Sequence, residues 1–218
     1  MESALYHLVA KSNMDHGKSQ FGKPTGIQGR EVMERMNMEH LPLTQWGISM
    51  LADVSPLSIL DVGCGGGIGL RQASIVWKNA RLTGVDISED ALAFCSEMHP
   101  DLIDEGMELV RAGAEDLPFD DGSFDLVMSF ESYFFWDDLR MGMEELGRVL
   151  SPGGTMLICS EAYPHPDFRE RNEENARKHG LKLLDPDEMV RMLPRELYES
   201  SIHLLEDRNW MSVVFRKR

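Results

Sequence analysis

The chain has 218 residues, 42% of them apolar and 27% charged, the usage of a globular rather than a disordered protein. Its 22 basic and 37 acidic residues leave a net charge of −15, which would repel nucleic-acid phosphates and anionic lipid, so neither is an expected partner. Cys64, Cys95 and Cys159 are widely spaced without a CxxC pair, which argues for free thiols in a reducing compartment and against a metal site. The length suits one domain with an appendage. Met1 to Asp15 lacks the basic-then-apolar pattern of a secretory signal, and no stretch nears the roughly 20 apolar residues of a membrane span. These features predict a cytoplasmic protein without membrane insertion.

Residues 1–54 read as a helical lid and residues 55–218 as the main domain. The stretch 11–30 is polar and glycine-bearing. Two helical patterns follow, one on Val32, Met33 and Met36 and one on Leu43, Trp46, Ile48, Met50 and Leu51, with Pro42 between them or opening the second. From residue 57 strands alternate with helices. Leu57–Val62 is a strand ending in glycines, Ile68–Lys78 a helix, Arg81–Val85 a strand and Ser88–Met98 a helix capped by Ser88. Met107–Val110 and Phe124–Phe130 are strands, Asp138–Leu150 is a helix stopped at Pro152-Gly153-Gly154, and Thr155–Ser160 is a strand. Helical pieces are expected around Phe168–Lys178. Asp185-Pro186-Asp187-Glu188 opens a further helix, and strands at 199–205 and 210–216 flank a polar turn.

This order predicts an α/β fold: a Rossmann-like, doubly wound, seven-stranded sheet, mostly parallel, ending in an antiparallel C-terminal hairpin. In such sheets ligands bind beyond the carboxyl ends of the strands.

The loop Asp61-Val62-Gly63-Cys64-Gly65-Gly66-Gly67 sits at such an end. Its spacing is GxGxG, not the GxGxxG of dinucleotide folds, whose third glycine would fall on Ile68 or Leu70. A carboxylate at Asp61 would repel a pyrophosphate but suit a cationic ligand. S-adenosylmethionine (SAM) carries an ammonium and a sulfonium and no phosphate. The plain alternative for Asp61 is a side chain satisfying turn amides. Asp86 ends the second strand, where an acidic residue binds ribose hydroxyls; its alternative is a helix cap. Ile87 would then flank the adenine. The loop Ala112–Phe119 leads to the fourth strand and offers Ala114 and Glu115 to the adenine edge. Asp120 and Asp121 read as a solvated rim.

Leu60–Gly67, Gly84–Ser88, Ala114–Phe119, Gly122–Ser129 and Arg148-Val149-Leu150-Ser151-Pro152-Gly153-Gly154, in this order, resemble class I SAM-dependent methyltransferases of the ubiquinone/menaquinone-biosynthesis type over about residues 57–160. Where such enzymes often carry Asp, this chain has Gly113, which moves the adenine contact to Ala114 and Glu115. Lys23-Pro24-Thr25-Gly26, Met36-Asn37, His40, Trp46-Gly47 and Glu131–Trp136 are similar to a subgroup of that family whose motifs carry no substrate. The resemblance implies SAM as cofactor, S-adenosylhomocysteine as product and a small-molecule acceptor; it leaves a homodimer open. The cofactor set is then Asp61, Gly63, Cys64, Gly65, Gly67, Asp86, Ile87, Ala114, Glu115 and Phe130, with Cys64 as a small residue beside the cofactor and not a nucleophile.

Methyl transfer is an in-line displacement that needs alignment, plus a base when the acceptor must lose a proton. Candidates are His40 in the lid, Glu131 after the fourth strand and His165 after the fifth. Tyr133, Trp136 and Tyr163 would line the acceptor pocket, while Phe134 and Phe135 would pack the lid onto the core. His7, His16, His99, His179 and His203 read as surface. Two other functions stay open: a non-catalytic SAM-binding protein, and a nicotinamide-dependent oxidoreductase.

Overall fold

A computed structural model describes Gly22 and residues 26–218. The expectations on Met1 to Asp15, His7, His16 and Lys23–Thr25 lie outside the described residues. Seven strands, β1 (Ser58–Val62), β2 (Arg81–Asp86), β3 (Glu108–Arg111), β4 (Phe124–Phe130), β5 (Leu150–Ser160), β6 (Tyr198–Leu205) and β7 (Trp210–Lys217), form one sheet in the order β3-β2-β1-β4-β5-β7-β6. The five N-terminal strands pair in parallel. β7 runs antiparallel between β5 and β6, so the hairpin inserts its last strand into the sheet and leaves β6 at the edge. All five residues of β1 are buried, as a strand covered on both faces requires.

Eight α-helices are described: α1 (Gly26–Glu39), α2 (Leu41–Ser49), α3 (Ile68–Val76), α4 (Glu89–Met98), α5 (Pro100–Asp104), α6 (Leu139–Val149), α7 (Arg169–His179) and α8 (Pro186–Val190). Their starts follow local chemistry. Ser88 accepts the Ala91 N–H, Asp138 that of Met141 and Asp185 that of Asp187, each satisfying an amide with no partner inside its helix. Pro42 lies in the first turn of α2, where its missing N–H costs nothing.

Several boundaries differ from expectation: the helix after the glycine loop, for one, ends at Val76 and not at Lys78. β3 starts one residue late, and Pro152-Gly153-Gly154 lies inside β5 as an irregularity between the Phe124 and Leu126 pairings instead of ending the helix, which stops at Val149. Two apolar layers cover the sheet. One joins Leu60, Val127 and Ile158 to Met143 and Leu146 of α6; the other joins Ile59, Leu126 and Leu157 to Leu43 of α2 and Leu70 of α3. Gly47 lets α2 lie against β4 and β5, because a Cβ there would press on the Phe130 ring and the Cys159 sulfur. The strand order reverses at β1, and the crevice at the carboxyl ends of β1 and β4 is where such sheets bind ligands.

Candidate active site

The glycine loop turns from β1 into α3 at the mouth of that crevice. The Gly63 and Cys64 N–H groups both donate to the Val85 carbonyl, at 2.8 and 2.9 Å, which ties the loop to the end of β2. Gly63 has φ of +75° and lies so close to Ser132 that a Cβ would overlap its side chain. Helix α3 approaches as closely: a Cβ on Gly69 would overlap the Asp61 carboxyl group.

Asp61 is 2% exposed, and its Oδ1 has no hydrogen-bond partner among the described residues. The Gly63, Cys64 and Gly67 amides go to backbone carbonyls and that of Gly65 to Asp86, so Asp61 is not the acceptor for this turn. Burial, and after it the Asp86 carboxylate, lifts the Asp61 pKa to about 7. Such a group is costly until a cation or donor meets it. Asp86 bridges two backbones: Oδ2 accepts the Gly65 N–H at 2.9 Å and Oδ1 that of Ser88 at 2.8 Å. The cap of α4 is Ser88 and not Asp86. Burial raises Asp86, while those N–H bonds pull it down.

The cleft is walled by Asp61, Gly63, Cys64 and Gly65 on one side and by Asp86, Ile87, Ala114 and Glu115 on another. Ile87 is half exposed, Ala114 is buried, and Glu115 also accepts the Asp138 N–H at 3.2 Å. Phe130, Glu131, Ser132, Phe135 and Trp136 close the far side, and His40 faces the cleft from the lid. The Trp136 indole N–H donates to Ser132 Oγ at 3.0 Å. Burial, and then the Arg35 guanidinium, holds His40 down at about 4, so it is neutral at pH 7.

Four expected residues stand elsewhere. Gly67 opens α3 with φ of +82° and packs on Cys95 and His99, behind the cleft. Tyr133 is 1% exposed in the core, its hydroxyl taking the Leu184 N–H at 3.4 Å. Tyr163 is buried as well, with its ring on His165. His165 lies on a second hollow beside α7, with Arg169 and Lys182. Neither Tyr163 nor His165 lines the cleft. His99 is not a surface residue either: it is buried, with Nε2 3.1 Å from the Gly66 carbonyl.

The residues sequence reasoning missed come from the lid and the β4 exit. Met33, Met36 and Asn37 of α1 line the cleft, and Asn37 Nδ2 donates to the Gly66 carbonyl at 3.0 Å. Met33, Met36, Asn37 and His40 fall at i, i+3, i+4 and i+7, one helix face, and that spacing was the available signal. Ser132 and Phe135 carried no such pattern.

Residues 60–158 match the family described as a methyltransferase domain. That match agrees with the glycine loop, Asp86 and the sheet order. Over 119 residues it is 37% identical to a fatty-acid O-methyltransferase of Mycolicibacterium smegmatis, covering 55% of this chain and 42% of that one. The chain spans less than half the length of the first curated relatives it matches. Among solved structures it resembles a methyltransferase held in complex with the Trm112 activator of Haloferax volcanii, at a TM-score of 0.75 and 16% identity, over 93% of this chain and 99% of that one. It also resembles phosphoethanolamine N-methyltransferase 2 of Haemonchus contortus, solved with S-adenosylhomocysteine, at a TM-score of 0.71 and 17% identity, over 80% of this chain and 52% of that one.

Proposed function

We propose that the protein transfers the methyl group of SAM to a small-molecule acceptor by in-line displacement. The observation that carries this reading is the buried Asp61 carboxyl group, with one oxygen unpartnered, at the wall of a cleft built from the glycine loop. A phosphate-bearing dinucleotide would meet repulsion there; a cationic cofactor would relieve the burial cost.

In this reading Asp61 faces the cationic end of the cofactor, and the backbone of Gly63, Cys64 and Gly65 packs along it. Asp86 accepts from the ribose hydroxyls, each of its oxygens already holding one N–H and keeping a further lone pair. Ile87, Ala114 and Glu115 flank the adenine, and Phe130 walls the side toward the acceptor. When bound, the cofactor supplies an electrophilic methyl carbon on a sulfonium. The protein orients the acceptor and keeps water out. The described part of residues 1–54 acts as a lid on residues 55–218, with α1 held to the glycine loop through Asn37. Three buried free cysteines suit a cytoplasmic setting, and among the described residues no helix is long and apolar enough to cross a membrane.

Calorimetric titration with SAM, S-adenosylhomocysteine and NADH tests the reading. Micromolar binding of the first two is expected, lost on Asp86→Ala, with no heat from NADH. Binding of NADH alone would overturn it, and an unchanged Asp86→Ala variant would remove Asp86 from the site.

A further inference from the structure

The cleft wall is one-sided in charge. Asp61, Asp86, Glu115, Glu131 and Asp137 line it, no Lys or Arg among the described residues does, and His40 is neutral at pH 7. A carboxylate or phosphate on the acceptor would be buried there without a counter-charge. The unpartnered Asp61 oxygen marks the same cleft as built for a bound ligand.

At the end away from the adenine loop stands Glu131, one residue past β4. It has φ of +52°, a conformation non-glycine residues seldom hold. Its Oε1 accepts the Glu161 N–H at the end of β5, which aims the side chain across the two strand ends. Glu161 is a second, half-buried carboxyl group beside it, and the two repel each other when both are ionised. Burial raises both above the ordinary carboxylate range. The surrounding groups are Ser160 and Cys159 on β5, Tyr133 after β4 and Arg171 on α7, with Glu39 of α1 and Arg208 of the β6–β7 turn facing Glu161.

We propose, resting on the SAM reading above, that Glu131 takes the proton of the methyl acceptor, that the Glu161 backbone N–H positions it, and that the acceptor is an uncharged or cationic alcohol or amine and not an anion. The acceptor's lone pair forms the bond to the methyl carbon. The carbon–sulfur bond breaks with its electron pair going to sulfur, and the acceptor's proton passes to the Glu131 carboxylate. The thioether product is left neutral at sulfur. The fatty-acid relative is named for a carboxylate acceptor; the acidic wall sets this chain apart from that chemistry.

The test needs no knowledge of the acceptor. Sinefungin carries an ammonium-bearing carbon in place of the methylsulfonium, so it presents a cation toward the acceptor end. Calorimetry compares its affinity with that of S-adenosylhomocysteine between pH 5.5 and 8.5 (roughly the range over which raised carboxyls titrate). The wild type should prefer sinefungin by about tenfold at high pH, the size of one charge-assisted hydrogen bond, and lose the preference as Glu131 takes up its own proton. Glu131→Gln should bind S-adenosylhomocysteine within about twofold of wild type and show no preference. Glu161→Gln keeps the backbone N–H that holds Glu131 and should keep the preference. A preference that survives Glu131→Gln, or none in a wild type that binds S-adenosylhomocysteine, overturns the proposal. Loss of the preference in Glu161→Gln overturns the positioning of Glu131 by that backbone N–H. If Glu131→Gln does not fold, the wild-type profile decides. A wild type that binds neither compound refutes the cofactor reading instead.

Discussion

Asp61 sets stability against binding at a single residue. Its pKa of about 7 lies above that of an unfolded aspartate, so at pH 8 the folded apoprotein holds a charge it would otherwise shed. Asp61→Asn should therefore stabilise the ligand-free protein at pH 8 by about 1–3 kcal/mol, seen as a higher melting temperature, while weakening SAM binding by about tenfold or more. A variant that loses stability and keeps its affinity would contradict the role assigned to this carboxylate. Gly63→Ala meets both a left-handed backbone and the Ser132 side chain. It should cost about 1–3 kcal/mol in chemical denaturation and displace the β4 exit loop from the cleft.

Two joints hold elements in place around the site. Arg148 on α6 pairs with Glu145 and Asp121 and donates to the Leu117 and Phe119 carbonyls at 3.0 and 2.8 Å. It thereby pins the loop that continues from Ala114 and Glu115 toward β4. Arg148→Ala should destabilise by about 1–3 kcal/mol through carbonyls left without a donor, as read by the denaturation midpoint. The other joint is the Asn37 contact to the Gly66 carbonyl, which His99 also meets from α4. Asn37→Ala should raise the S-adenosylhomocysteine dissociation constant a fewfold, about 1 kcal/mol, with little change in stability. At this scale the sequence was informative where a helix carries its own start signal, as at Ser88, Asp138 and Asp185. It was poor at the lid, because Asn37 is an ordinary polar residue on α1 until the fold brings Gly66 beneath it.

For the whole molecule, buried carboxyls set the pH response. Asp61, Asp86, Glu131 and Glu161 are all raised by burial; Asp61 and Glu131 at about 7 and Glu161 at about 8 take up proton on folding at neutral pH. The stability tied to that proton is full below the unfolded carboxylate range and is lost as pH rises through the folded values, about 7 for Asp61. His40 acts in the opposite sense: held at about 4, it favours folding above the ordinary histidine range and less so below it. Above pH 6.5, roughly the unperturbed histidine value, the carboxyls act alone. The melting temperature of the ligand-free protein should therefore fall from pH 6.5 to 8.5, and saturating SAM should flatten that fall. A ligand-free melting temperature that is level or rising over this range would show that these groups are not buried in their charged form.

The class of fold was legible because it rests on local signals. Strand and helix periods, the glycine loop after β1 and Asp86 at the end of β2 lie within short stretches of chain, and parallel βαβ units admit one handedness. The GxGxG spacing and Asp61 pointed away from a dinucleotide for a reason of charge alone. What lay beyond local reading were contacts between distant segments. Tyr133 and Tyr163 look like pocket residues in sequence, yet Tyr133 turns beneath Leu184 and Tyr163 packs beside α7. Phe135, Ser132 and the α1 residues take the places along the cleft. Glu131 and Glu161 become a pair only because β4 and β5 are neighbours in register, with Phe130 opposite Cys159, so Glu131, one residue past Phe130, and Glu161, two past Cys159, share one end of the sheet. Burial, which turns ordinary carboxylates into groups that titrate near neutrality, belongs to the packed molecule and to no residue alone.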